Sequence, residues 1–333
     1  MPIVSQGNIH YSTAELAERL RIPTDQVVST IAQAKLKPQH IDDKWSLPLE
    51  QVKEWFGQFL SLDGHPAQYH IPNSLRTANS PWARTLVQMY ENEINFPAAV
   101  SPEQGEFLHS LTCNIAPQQV VEVGCFTGIS TVWIASALEQ IGSAARIDSV
   151  DLFYDIFPFP PYRHNYLANP LAYAERCVSS AGLSERVRFH QMASQEMGMR
   201  YSELIKEPID LLYLDGDHSI RGCRADFLLF YPYLRPGGYL ILHDINPDRC
   251  GDPGPRHVID HYIKGSRHFE LIEVDTKPLN YGMALIRKKS DAPKTVWTRK
   301  ALMWKIQYNA WRNQARKPAV RPPPPPAEIS PSK

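Results

Sequence analysis

Carboxylates and imidazoles recur in this 333-residue chain at the ends of short apolar runs. Leu211-Leu212-Tyr213-Leu214 leads into Asp215-Gly216-Asp217-His218, and Leu240-Ile241-Leu242 leads into His243-Asp244. Runs of this length read as buried strands, and in an open α/β sheet ligands gather beyond the carboxyl ends of the strands. Asp215 and Asp244 then end adjacent strands and can share one hard divalent cation. A third run, Val120-Val121-Glu122-Val123, opens into Gly124-Cys125-Phe126-Thr127-Gly128-Ile129-Ser130. Glycines belong where bare backbone must touch a nucleoside at the head of a parallel sheet. Asp151, ending the run from Ile147 to Val150, can accept hydrogen bonds from both hydroxyls of a ribose.

The elements that must position these groups follow from the same pattern. Val132, Trp133 and Ile134 start a helix after the glycine turn, and Leu234-Arg235-Pro236-Gly237-Gly238 precedes the strand that ends at Asp244. The implied fold is α/β, a doubly wound Rossmann-like sheet. The spacing G-x-G-x-x-G is absent, which argues against a nicotinamide dehydrogenase.

Taken together, these motifs resemble the class I S-adenosylmethionine (SAM)-dependent methyltransferases, whose sheet has seven strands and whose fifth strand follows Leu-x-Pro-Gly-Gly. The resemblance is sharper to the metal-dependent O-methyltransferases of catechol and caffeoyl-CoA type. Ser101-Pro102-Glu103-Gln104-Gly105-Glu106-Phe107-Leu108 resembles their lead-in helix and Phe126-Thr127-Gly128-Ile129-Ser130 their glycine loop. Arg186-Val187-Arg188-Phe189 and Ala193-Ser194-Gln195-Glu196 resemble their third strand and adenine-contacting turn. Asp151-Leu152-Phe153 and Asp215-Gly216-Asp217-His218 are also similar to the macrocin O-methyltransferase group, which modifies antibiotic sugars. The likeness covers roughly residues 100 to 288.

The resemblance implies a SAM- and metal-dependent enzyme acting on a hydroxyl of a small molecule (a sugar, phenol or natural product). Glu122, Gly124, Phe126, Gly128 and Ser130 are expected at the methionine end of the cofactor, and Asp151 at the ribose. Ala193, Ser194 and Gln195 are expected at the adenine, with Asp215 also near the cofactor. Glu122 has a second role open to it, holding the loop that follows. Asp215, His243 and Asp244 are the expected metal ligands; His243 takes an acidic ligand position of the macrocin-like group, and Ile245 replaces the asparagine usual in the catechol type. The oxygen-rich set points to Mg²⁺, with the histidine pulling toward Mn²⁺. His218 falls where relatives carry their lysine or histidine base, or else caps a helix. Asp217 suits orienting the loop or the substrate rather than binding metal. Tyr281 to Ile286 reads as the antiparallel last strand.

Composition sets bounds on these readings. Lys plus Arg (35) equals Asp plus Glu (35), so no global field points to nucleic acid. The five cysteines form no C-x-x-C pair, and no run approaches a membrane span. The expected setting is soluble, reducing and cytoplasmic, and the expected state a homo-oligomer.

Residues 1–60 read as a separate unit resembling a winged helix-turn-helix of the excisionase type. Ser12 and Glu15 form a capping box for a helix with Leu16 and Leu20. Thr24 caps a second helix with Val27, Val28 and Ile31, and Pro48 starts a third through Val52, Trp55 and Phe56. A small wing lies between Ile41 and Leu47. Such a unit either binds DNA, as in a SAM-sensing regulator, or serves dimerisation or capping of the site. Its six basic and seven acidic residues favour the second reading. Leu16, Val28, Trp55 and Phe56 exceed what three short helices can bury, so some are expected against another surface.

Residues 61–100 read as a linker with a helix from Pro81 to Glu93, and 101–290 as the catalytic domain. Phe153, Tyr154, Phe157, Phe159, Tyr162 and Tyr166, interleaved with prolines, either cover a sheet edge or form a lid; the lid is favoured because it leaves the ribose-binding strand end. Within 291–333, Lys294 to Arg321 holds eight basic and no acidic residues, with Trp297, Trp304, Tyr308 and Trp311 on one helical face. That face either packs on protein, the favoured reading, or lies on a membrane. Pro322 to Pro326 begins a polyproline tail expected to be disordered.

Overall fold

The computed structural model describes residues 3–5, 8–20, 24–33, 35–41, 44–52, 68–158, 165–275 and 281–315. Seven strands form the main sheet: β5 (Gln119–Val123), β6 (Arg146–Asp151), β7 (Val187–Gln191), β8 (Ile209–Leu214), β9 (Leu234–His243), β10 (Phe269–Val274) and β11 (Met283–Lys288). Their spatial order is β10-β11-β9-β8-β5-β6-β7. β5 to β9 run parallel, whereas β11 is antiparallel to both β9 and β10. The Tyr281–Ile286 run is thus the expected antiparallel strand, and β10 completes the expected seven with residues the sequence reading did not locate.

The apolar runs sort by strand alternation, since successive side chains point to opposite faces. Leu212 and Leu214 of β8 join a core with Phe227, Leu240 and Leu242. Leu211 and Tyr213 join a second core with Val120, Val132, Trp133 and Ile241 on the other face. That second face is covered by α5 (Pro102–Ile115) and α6 (Ile129–Gln140), and the first by α9 (Ile220–Phe230). Ser101 starts α5 as a full capping box: its Oγ accepts from Gln104 N (3.3 Å) while Gln104 Oε1 accepts from Ser101 N (3.0 Å).

The expected linker needs correction. Tyr69 through Val100 belongs to the packed body, as α3 (Asn73–Thr77), α4 (Pro81–Glu91) and the turns around them. Tyr69, Leu75, Leu86 and Phe96 are buried in the second core, and Trp133 Nε1 donates to Tyr90 Oη at 2.9 Å. The prolines and asparagines that suggested a linker sit at helix starts and caps, while the apolar residues between them carry the packing.

At the N-terminus, Ser12 Oγ accepts from Glu15 N (3.2 Å) to start α1 (Thr13–Leu20), and α2 (Thr24–Gln33) follows. Where a wing was expected, the chain forms the strand pair β3 (Gln39–Ile41) and β4 (Lys44–Pro48). β1 (Ile3–Ser5) and β2 (Asn8–Ser12) extend it into a four-stranded sheet of order β1-β2-β4-β3, which two helices and a small wing did not anticipate. Leu16 is fully buried with Tyr11, Val27, Ile31, Leu47 and Val52, so it needs no second surface. Val28 is exposed. The turn at Ile22 and Pro23, with Trp55 and Phe56, lies outside the described residues.

Candidate active site

The site forms where β5 stands between β6 and β8, the point at which the strand order reverses. Gly124 N donates to Val150 O (2.9 Å), and Asp215 N donates to Val123 O (2.8 Å). Gly124 has a left-handed φ of +90°, and a Cβ there would lie 2.1 Å from the Asp215 carbonyl oxygen. Only glycine fits. Gly128, φ +93°, caps α6.

A cavity of about 570 Å³ opens at these strand ends. Its size and its mixed polar and apolar wall suit a ligand as large as a nucleoside derivative. Gly124, Phe126, Ser130, Asp151, Ala193, Ser194, Gln195, Asp215 and His218 all line it, as expected. Ala98, Ala99 and Val100 line it as well, and the sequence reading missed them. Leu152, Phe153, Tyr154 and Ile156 of the aromatic segment form part of its wall, with Ile156 bridged to Leu167. Phe159 and Tyr162 lie outside the described residues.

Two expected cofactor residues stand apart. Gly128 shapes the loop from behind the cavity. Glu122 is wholly buried beneath it and accepts from Ser130 Oγ (2.6 Å), Thr131 Oγ1 and Ser149 Oγ. These bonds hold the loop that follows, the second of its two roles. Burial pushes its carboxyl up to about 7, with the three hydroxyl bonds pulling the other way.

Asp151 does more than the ribose assignment required. Its Oδ2 accepts from Cys125 N (2.8 Å) and Phe126 N (2.9 Å), and its Oδ1 from Phe153 N (2.8 Å). One carboxylate thereby fixes the glycine loop and the start of the aromatic wall. With two bonds taken at Oδ2 and one at Oδ1, Oδ1 retains the more accessible lone pair for a ligand hydroxyl.

Beside the cavity Asp215, His218, His243 and Asp244 converge, each offering a ligand atom, all within 4.8 Å of one another. Asp215 Oδ1 is 3.1 Å from both His218 Nε2 and His243 Nδ1. Asp244 Oδ1 is 2.9 Å from His243 Nδ1, and its Oδ2 is 3.5 Å from His218 Nε2. Tyr213 Oη, which reads in the sequence as core, donates to Asp215 Oδ2 at 2.9 Å. Burial alone would raise the Asp215 carboxyl, but the two imidazoles hold it well below the usual carboxylate range. Burial alone would lower both imidazoles, yet Asp215 and Asp244 raise them, His243 most. The carboxylates thus favour the charged form of both imidazoles against their burial. His243 Nε2 is buried without a hydrogen-bond partner among the described residues. Asp217 accepts from Ser219 N (2.9 Å) at the start of α9, the loop-orienting role expected of it.

Comparison with known proteins agrees with this geometry. Residues 121–245 match a family model described as a methyltransferase domain. Catechol O-methyltransferase of Niastella koreensis is 26% identical over 181 residues, 54% of this chain and 72% of that protein. Rhamnosyl O-methyltransferase of Mycobacterium bovis is 26% identical over 153 residues, 44% of this chain and 56% of its own length. Other mycobacterial relatives, at 28% identity, are matched over 62% of their length. Cofactor-bound Rv0187 from MTB shares the fold, with a TM-score of 0.50 and 18% identity over 66% of this chain and 94% of that one. The family match over residues 121–245 and these relatives support a class I SAM-dependent O-methyltransferase.

Two expectations follow from the loop. Asp151→Ala removes a charge-assisted anchor of both loop and ribose and should weaken SAM binding by about 2–4 kcal/mol; unchanged affinity by calorimetry in the folded variant would contradict this. Glu122, with its folded pKa raised, contributes stability that is present below about pH 4.5 and lost as pH rises toward 7. Thermal unfolding of Glu122→Gln should therefore depend less on pH across that window, by about 3 kcal/mol. An unaltered pH profile would rule out the buried-acid assignment.

Proposed function

We propose that the protein methylates a hydroxyl of a small molecule, and that Asp215, His243 and Asp244 hold a divalent cation for that reaction. The observation that carries this reading is the four-residue cluster. Two half-buried carboxylates and two imidazoles, with His243 Nδ1 and His218 Nε2 turned toward both carboxylates, form a donor set of the kind that binds Mg²⁺ or Mn²⁺, and nitrogen from His243 favours Mn²⁺. When bound, the cation supplies the charge that lowers a hydroxyl pKa. Asp215 lines both the cavity and the cluster, so it sets the distance between donor and acceptor. The acceptor oxygen bonds to the methyl carbon as the methyl–sulfur bond breaks, the electron pair staying on sulfur and the proton passing to His218 Nε2. In-line geometry at about 3 Å provides much of the rate. The aromatic wall from Leu152 to Ile156 serves as a lid that excludes water. Relatives acting on a catechol and on a rhamnosyl group support phenols and sugars as acceptor classes.

EDTA should abolish turnover while leaving SAM binding intact. His218→Ala should lower kcat by roughly 10²–10⁴-fold with SAM and Mn²⁺ affinities retained. Full activity in EDTA would refute the cation, and a wild-type rate in the variant would refute the base. Because Asp215 and Asp244 raise both imidazoles, Mn²⁺ must displace protons, and its affinity should rise with pH.

The N-terminal unit we assign to assembly or to covering the site rather than to DNA, because six basic against seven acidic residues supply few phosphate contacts. Deleting residues 1–60 should change the mass seen by light scattering or lower acceptor turnover while SAM still binds. Salt-sensitive retardation of genomic DNA fragments by the full chain, lost on that deletion, would reverse the assignment.

A further inference from the structure

The last helix, α10 (Pro293–Ala315), holds the domain with one side and leaves another bare. Thr295 is buried, Leu302 and Met303 pack on the first core, and the Arg299 guanidinium lies 5.8 Å from the centre of the Tyr233 ring. Lys294 Nζ donates to His261 O at 2.7 Å. The tryptophan face, expected to pack on the parent domain or a second subunit, is not packed on the parent domain at Trp297 and Trp304. Trp297 and Trp304 are 71% and 68% exposed, the two most exposed large apolar side chains among the described residues. The side chains of Tyr308 and Trp311 lie outside what is described.

Seven residues apart, the two indoles share nearly one azimuth on the helix. Exposed Lys300 and Ala301 lie between them and Lys305 beside them. The Lys300 ammonium is 5.3 Å from the Trp297 ring centre. Charge here departs sharply from the neutral whole: residues 294–321 carry eight Lys and Arg and no Asp or Glu.

We propose that this face of α10 docks on an anionic lipid surface. Indoles settle at the boundary between headgroups and acyl chains, where the ring is apolar and its N–H is wet. Lysines between them keep their stems on that boundary and their ammonium groups against lipid phosphates. The helix lies on the surface rather than crossing it, since no described helix is long and apolar enough to span a membrane. A second copy of the chain fits the face less well. A two-fold contact would set Lys300 and Lys305 against their own copies, with no acidic residue in the segment to answer them. Nucleic acid would answer the charge but leaves the indoles unexplained, because one turn pair of helix (~10 Å) separates them, far beyond a base step.

The test is flotation of the full chain with vesicles of phosphatidylcholine alone or with roughly a quarter phosphatidylserine. Binding to the anionic vesicles, weak on neutral ones and reduced by salt, is expected, with a blue shift of tryptophan emission. W297A/W304A and K300E/K305E should each weaken it by about tenfold or more while SAM affinity, read by calorimetry, stays unchanged as a check on folding. Absence of flotation with anionic vesicles would overturn the proposal, as would equal binding to neutral vesicles. Dissociation of an oligomer by W297A/W304A without any lipid effect would give the face to a second copy, and salt-sensitive binding of RNA or DNA in preference to vesicles would give it to nucleic acid.

Discussion

Everything at the site depends on how closely β5 passes β8. The Asp215 carbonyl occupies the place where a side chain of Gly124 would stand, 2.1 Å from an added Cβ. Backbone bonds from Gly124 N to Val150 O and from Asp215 N to Val123 O tie the ends of three adjacent strands together. One half of the cavity comes from β5 and β6, the other from β8, and this crossing fixes the offset between them. In the proposed reaction, a methyl group carried on the first half would meet an acceptor held on the second only because no side chain separates the two backbones.

Acidic groups around that crossing are kept in three different states by their surroundings. Glu122, sealed beneath the loop among hydroxyls, sits near neutrality with its pKa about 7. Asp226, buried under α8 (Ser194–Met199) and accepting from Ser194 Oγ at 2.6 Å, is likewise pushed up to about 7 by burial. Asp215 is held ionised by imidazoles despite its burial. Asp151 spends its charge on three backbone N–H groups. Structural acids are thus discharged or saturated by protein donors, whereas the cluster beside the cavity keeps negative charge that protein alone balances only by protonating two histidines. That imbalance is what a dication would relieve.

Much of this was legible in the chain because strand-end chemistry is local. An apolar run followed by Asp215 or by His243-Asp244 declares both the strand and the end that matters, and sheet topology brings them together. Glycine positions were equally direct, since φ near +90° at Gly124 and Gly128 admits little else. What stayed hidden depends on long-range packing. Ala98 to Val100 wall the site, with Tyr69 packed behind them and bonded to Ala99 O, from a stretch whose prolines and asparagines read as a linker, although Leu86 and Tyr90, at helical spacing, were a usable signal. Tyr213 reads as one more core residue, because nothing in a strand shows that its hydroxyl reaches the next carboxylate. Glu122 had two roles open to it, at the ligand and beneath the loop, and only its three hydroxyl partners show the second. On α10 the tryptophans share a face, but the helix turned Thr295, Leu302 and Met303 to the core instead, a choice set by the shape of the domain surface.

The central claim is that Asp215, His243 and Asp244 bind a cation beside the methyl donor. Its most direct test is a crystal structure of the full chain grown with S-adenosylhomocysteine and Mn²⁺, with anomalous scattering recorded for the metal. The account predicts one anomalous peak between Asp215, His243 and Asp244, at the edge of a cavity filled by the nucleoside, with both ion pairs of His243, to Asp215 and to Asp244, opened. A filled cavity with no peak there, and those ion pairs intact, would contradict it.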